Sequence, residues 1–127
     1  VSASHAILVA QYMEGSTVMP GGNGDPSLAL AVPVEQYRSD YIFLAPATYT
    51  QNYVTIIAPT GAQVSLDGTN VSGFNAVGTG AYSVVNVAIG SGSHTATATQ
   101  AFGIAVYGVA PYTSYMYPGG LDLKSQP

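Results

Sequence analysis

No stretch of this 127-residue chain sets an apolar stripe at i, i+3, i+4 and i+7 against a polar face, and every window of ten or more is interrupted by Gly, Pro or a β-branched cluster. Amphipathic helices are therefore excluded as the main building unit. In their place stand short runs of strand-forming residues: SHAILVAQY (4–12), SLALAV (27–32), DYIFLA (40–45), NYVTIIA (52–58), AQVSLD (62–67), AYSVVNVAI (81–89), SHTATAT (93–99), FGIAVYGVA (102–110) and TSYMY (113–117). About nine short strands spaced by turn residues predict an all-β chain, an antiparallel, jelly-roll-like β-sandwich.

The turns have mechanisms of their own. Asp67-Gly68 is a two-residue hairpin signal, because a type I′ turn needs positive φ at both central positions. Ile89-Gly90-Ser91-Gly92-Ser93 and Ala58-Pro59-Thr60-Gly61 read as two further reversals, so the strands they join are expected to pair as antiparallel neighbours. The glycine-rich run 13–26 lacks periodicity and reads as a long loop, and PVEQYRSD (33–40) as a second loop or a single helical turn.

Alternation assigns the faces. Ala62, Val64 and Leu66 point one way and Gln63, Ser65 and Asp67 the other; Val85, Val87 and Ile89 are set against Ser83 and Asn86; and His94, Ala96 and Ala98 face inward while Thr95, Thr97 and Thr99 face out. FGIAVYGVA and SHAILVAQY are apolar on both parities, which places both at the centre of the fold, covered on two sides.

At this length one domain with a real core is the expectation: a single binding module over 1–127, cut from a longer surface protein between Val1 and Pro127. Charged residues make up only 6% of it, against a usual share of about 25%. With Arg38 and Lys124 as the only cations and a net charge of −4, the chain lacks what phosphate neutralisation or an anionic membrane surface requires. No apolar run approaches the roughly 18 residues of a spanning helix. Cysteine is absent, which excludes disulfides and thiolate chemistry. The Ser, Thr, Asn, Gly and Tyr-rich composition suits a secreted or surface module of bacterial type.

Chemistry is sparse. His5 and His94 both fall in strand patterns without a nucleophile motif and read as structural, His94 bonding a neighbouring loop. The acids Glu14, Asp25, Glu35, Asp40, Asp67 and Asp122 encode no catalytic spacing; Glu14, Asn23 and Asp25 offer oxygen ligands, but the calcium-loop pattern is missing. GGNG (21–24) lacks the Lys-Ser or Lys-Thr of a phosphate loop, and Asn70-Val71-Ser72 is a bare glycosylation sequon. No catalytic residue, metal ligand or cofactor is assigned.

What stands out is ten tyrosines beside three Phe and no Trp. Tyrosine joins a flat apolar face to a hydrogen-bonding tip, which suits glycan stacking and protein interfaces. Tyr12, Tyr49, Tyr112, Tyr115 and Tyr117 are the candidate ligand-binding set. Within APYTSYMYPGG, Tyr115 and Tyr117 share one parity, Met116 takes the other and Tyr112 precedes the strand, so SYMYPGG reads first as a closing strand and second as a contact surface.

Taken in order, GDPSLALAVPVEQYRSDYIFLAP, NYVTIIAP, VSLDG, AYSVVNVAIGSGSH and FGIAVYGVAPYTSYMYPGG resemble the IgGFc-binding protein N-terminal domain family, over about residues 7–123. Members occur in animal mucus proteins and in bacterial surface or secreted proteins. The resemblance implies an extracellular β-rich binding or adhesion module with no known chemistry, and it supplies no catalytic residue. Because Asp25, Pro26, Glu35, Gln36 and Tyr37 match motif positions, it also implies a buried polar network in these loops with Arg38 as its cation.

The expected function is thus non-enzymatic adhesion to a glycan or cell-surface protein. The alternatives are a structural spacer or homo-oligomerisation domain of a surface fibre, and, behind both, a hydrolase using Asp25 or Glu35.

Overall fold

A computed structural model describes residues 3–18 and 20–123. In chain order the strands are β1 (Ala10–Tyr12), β2 (Leu28–Leu30), β3 (Arg38–Ala45), β4 (Gln51–Pro59), β5 (Val64–Leu66), β6 (Thr69–Asn70), β7 (Asn75–Val77), β8 (Tyr82–Ile89), β9 (Gly92–Ala110) and β10 (Thr113–Pro118). All their pairings are antiparallel. The long loop 13–26 holds one short 3₁₀ turn at Pro20–Gly22; of the 33–40 segment, Val34–Gln36 forms the single turn expected, while Arg38 to Asp40 already belong to β3.

One strand organises the whole. SHTATAT and FGIAVYGVA, read as two strands, are a single strand, the 19-residue β9. Its first half lies between β3 and β5, with β6 beyond; its second half lies between β10 and β4, with β8 and β7 beyond. The side-chain period of two runs on through the middle, so His94, Ala96 and Ala98 share an inward face with Phe102, Ile104 and Val106. The result is sandwich-like: two antiparallel sheets that share one strand, a known way of turning a corner between layers.

Between the layers, Tyr41 and Phe43 of β3 and Val64 and Leu66 of β5 meet Val54, Ile56 and Ala58 of β4 and Phe102, Ile104 and Val106 of β9. Val54, Ile56, Phe102 and Val106 are each 0% exposed, burial that contributes about 1.5–3 kcal/mol per side chain. The Tyr41 ring stands edge-on to Phe102 at 5.0 Å, and its hydroxyl donates to the Phe102 carbonyl at 2.5 Å while accepting the Arg38 N–H at 3.0 Å.

Several sequence expectations need correction. SHAILVAQY is not central: only Ala10–Tyr12 is strand, paired with Leu28–Leu30 alone, and Ile7 and Leu8 are exposed. That hairpin is a cover, not a covered strand. Gln11, Ala29 and part of Leu30 line a cavity of about 120 Å³ above the outer face of β4 and β9, while Leu28 and Leu30 both remain exposed to solvent. This cover explains why β9 is apolar on both parities, as does Tyr37, whose ring lies where a Cβ on Gly103 would sit, 2.4 Å away.

Asp67-Gly68 forms its hairpin as expected, with φ of 50° and 79° and Leu66 opposite Thr69. The other two reversals turn tightly but do not join paired strands. Gly90 to Gly92 carries the chain from β8 in one sheet to the first half of β9 in the other, and Pro59 to Gly61 carries it from β4 to β5. A glycine-rich turn specifies reversal, and packing decides which sheet the next strand enters. Ser83 lies on the same face as Val85 and is buried, its hydroxyl 2.8 Å from that of Thr60.

The buried polar network is also absent. Asp25 and Glu35 are exposed, and Arg38 pairs with Asp40 at 3.5 Å in an exposed setting, which avoids the desolvation cost of interior charge. Lys124 lies outside the described residues.

Candidate functional site

The closing strand β10 joins the second half of β9 with Tyr115 opposite Gly108 and Tyr117 opposite Val106. Both tyrosines consequently face the interlayer side, and Met116 the other, where it borders the cavity under the β1–β2 cover. Tyr115 meets Tyr49 edge-on at 4.6 Å and stacks with Tyr117 at 6.0 Å. Its hydroxyl donates to Asn52 Oδ1 at 2.7 Å, and Asn52 is only 5% exposed. Gly108 leaves room for this pair, since a Cβ there would lie 2.5 Å from the Tyr115 ring and 2.6 Å from Asn52 Oδ1. Burial, reinforced by Tyr117 and Tyr49, pushes the Tyr115 phenol up to about 12. For Tyr117, burial raises the phenol above its ordinary value against the opposing bond to Leu44.

Three of the five candidate tyrosines, Tyr49, Tyr115 and Tyr117, thus form one half-buried cluster. The other two stand in solvent: Tyr12 is 70% and Tyr112 77% exposed. Tyr112 occupies the two-residue turn between β9 and β10 with φ of 56°. The sign change after Pro111 is that of a type II turn, whose third position normally takes Gly or Asn. A bulky side chain there is a backbone outlier. Tyr12 and Tyr112 belong to the same end of the molecule. Ser27 accepts the Met13 N–H through its carbonyl at 2.9 Å, and its hydroxyl lies 3.0 Å from that of Ser114, which also bonds the Asp25 carbonyl. Nearby, Gly24 N–H donates to the Ala110 carbonyl at 2.9 Å. The 23–27 loop is therefore pinned between the two exposed tyrosines, and Thr50 fixes the Tyr49 loop to the Val109 carbonyl at 3.0 Å.

A second aromatic feature was not singled out in the sequence. Tyr53 and Tyr107 lie directly opposite each other on β4 and β9 and stack at 5.2 Å on the outer face. One register step away, Thr55 donates to Asn86 Oδ1 at 2.5 Å. Burial and the Tyr53 ring raise the Tyr107 phenol. The parity opposite Val54 and Ile56 was the signal that could have found Tyr53.

Neither histidine sits in a catalytic arrangement. His5 is exposed and lies 3.0 Å from the Ser4 hydroxyl of the adjacent residue. His94 binds Asp67 at 2.6 Å through Nδ1 and the Gly90 carbonyl at 3.0 Å through Nε2, the loop contact expected of it. Glu14, Asp25 and Glu35 are exposed, and among the described residues no three His, Cys, Asp or Glu side chains converge on a point where a metal ion could sit. No helix among them is long and apolar enough to cross a membrane.

A family model described as IgGFc binding protein matches residues 1–108. No curated protein and no solved structure matches. The chain belongs to the IgGFc binding protein family, a family of extracellular binding modules.

Proposed function

We propose that this module is a non-catalytic adhesion domain, part of a longer secreted or cell-surface protein, which engages a protein or glycan through the end that carries Tyr12 and Tyr112. The observation that carries this reading is Tyr112, a large aromatic held 77% exposed at φ of 56°. Strained positions persist where surrounding structure over-determines them, and they concentrate at binding sites. Tyr49, Tyr115 and Tyr117 stand behind the same end as its packed support. The family description makes the IgG Fc the first protein probe.

A non-catalytic role is supported by the engagement of both His94 nitrogens, which leaves neither to serve a nucleophile. The test is binding of immobilised IgG Fc and of a glycan array by the wild type, Tyr12→Ala and Tyr112→Gly. Loss of signal in both variants, with thermal unfolding no lower than that of the wild type, is the expected result. Equal signals in all three proteins would remove this end from the site.

Self-association is a second reading, favoured by the outward apolar face of the β1–β2 cover, where Tyr12, Leu28 and Leu30 are all exposed. Light scattering separates the two: a stable dimer or trimer at low concentration supports assembly through this face, and a monomer supports partner binding.

A further inference from the structure

Along one side the sandwich is open. A groove of about 430 Å³ runs between the β5–β6 hairpin and β8, lined by Leu66, Thr69, Asn70, Val71, Val85 and Val87. The Asp67 turn lies at the tip of one wall, and Gly90 directly follows the strand that forms the other. His94, on β9, touches both. We propose that Asp67, His94 and Gly90 form a pH-dependent latch that holds the two walls of this groove together and releases them when the His94 imidazolium gives up its proton.

The geometry carries the argument. His94 Nδ1 lies 2.6 Å from Asp67 Oδ2 and Nε2 lies 3.0 Å from the Gly90 carbonyl. A carboxylate and a carbonyl can only accept, and a neutral imidazole has one N–H to give. Only the imidazolium satisfies both partners at once. Deprotonation leaves one acceptor facing a ring lone pair, so either the Asp67 contact or the Gly90 contact must open. The ring cannot simply swing away, since Phe43 stacks on it at 5.5 Å and its side chain is 12% exposed.

The groups facing the ring come from three elements. β3 presents the uncharged Phe43, the β8–β9 crossover presents the Gly90 carbonyl, and the β5–β6 turn presents Asp67, the one charged group facing the ring among the described residues. Asp67 is itself anchored by the Thr95 N–H, which donates to Oδ1 at 2.8 Å. Burial alone would lower the His94 value, but the bonds to Asp67 and Gly90 outweigh it and raise it above 6.5. The bond from His94 and then that from Thr95 hold Asp67 below its ordinary 3.8. A raised histidine value means that the latch is complete below 6.5 and is lost as pH rises through the raised value; a lowered aspartate value means that it survives acid until pH falls through that lower limit.

The test is an NMR titration of the histidine rings, with amide-exchange protection factors, corrected for intrinsic rates, for 66–72 and 88–92 at about pH 5.5 and about pH 8.5. In the wild type His94 should titrate above its ordinary value, and protection in both segments should fall several-fold at the higher pH. In Asp67→Asn the carboxamide can still accept the Thr95 N–H and tolerates positive φ; His94 should then bind its proton about tenfold more weakly, and the fall in protection should shrink. His94→Phe, which keeps an aromatic ring against Phe43, should show no pH dependence in these segments. A His94 that titrates at or below its ordinary value, or protection that changes equally in wild type and His94→Phe, would overturn the latch.

Discussion

The Tyr117 hydroxyl bonds both main-chain groups of Leu44, donating to its carbonyl at 2.5 Å and accepting its N–H at 3.2 Å. Tyr117 belongs to β10 and Leu44 to β3, so one side chain ties the edge of one sheet to the edge of the other. It also occupies the main-chain groups through which an exposed edge would recruit another strand. Tyr117→Phe keeps the ring and removes the bond. Since Leu44 is 59% exposed and water can replace part of the loss, the expected cost is about 1 kcal/mol in denaturant unfolding. A loss near zero would mean that ring packing alone closes this side.

Gly103 and Gly108 should not tolerate a methyl group. At Gly108 a Cβ would lie 2.8 Å from the Gln51 carbonyl as well as close to Tyr115 and Asn52; at Gly103 it would meet the Tyr37 ring. A ring can shift more readily than a backbone carbonyl. Gly108→Ala is therefore expected to cost about 3 kcal/mol and Gly103→Ala less, both read from unfolding midpoints.

How much of this was legible in the sequence divides along physical lines. The inward parity of β9 was readable from Ala96 and Ala98 onward, because a period of two is a local property. That 93–99 and 102–110 are one strand was not, since Thr99-Gln100-Ala101 carries no signal distinguishing a bend from a break. Asp67-Gly68 announced its hairpin because positive φ at both positions is itself the turn. Gly90 and Gly92 announced a reversal but not the sheet that the next strand enters. Parity correctly put Tyr115 and Tyr117 on one face and Met116 on the other, yet the exposure of the candidate tyrosines depended on the opposite layer, and nothing near Tyr112 in the sequence marked its positive φ.

Alkaline stability should be limited by tyrosine ionisation. Burial, then Tyr82 and Tyr41, push Tyr37 up to about 12, and Tyr115 reaches the same level through burial, then Tyr117 and Tyr49. A raised phenol value favours the neutral ring in the folded state. That contribution is intact below 10, the ordinary value, and is lost as pH rises from 10 towards about 12. Unfolding midpoints should fall across that interval, and less steeply in Tyr115→Phe, which has one fewer phenol to ionise. An identical slope in that variant would assign the effect to other groups.

Tyr112→Gly should leave stability unchanged or raise it by up to about 1 kcal/mol, because glycine removes the cost of positive φ while adding chain entropy to the unfolded state. Thermal unfolding checks this independently of any ligand. A variant of lower stability would show that the ring contributes contacts worth more than the strain of its backbone.

Because β3, β4, β5 and β10 all hydrogen-bond to β9, synthesis imposes an order on the chain. Until residues 92–110 leave the ribosome, β4 can pair with β8, and β5 with β6, but β3 has no partner and neither layer has its central strand. The exposed apolar faces of these fragments must wait for one late segment, and such waiting is when β-rich chains are captured by chaperones or by each other. A truncation before Gly92 should therefore yield aggregates instead of half a domain.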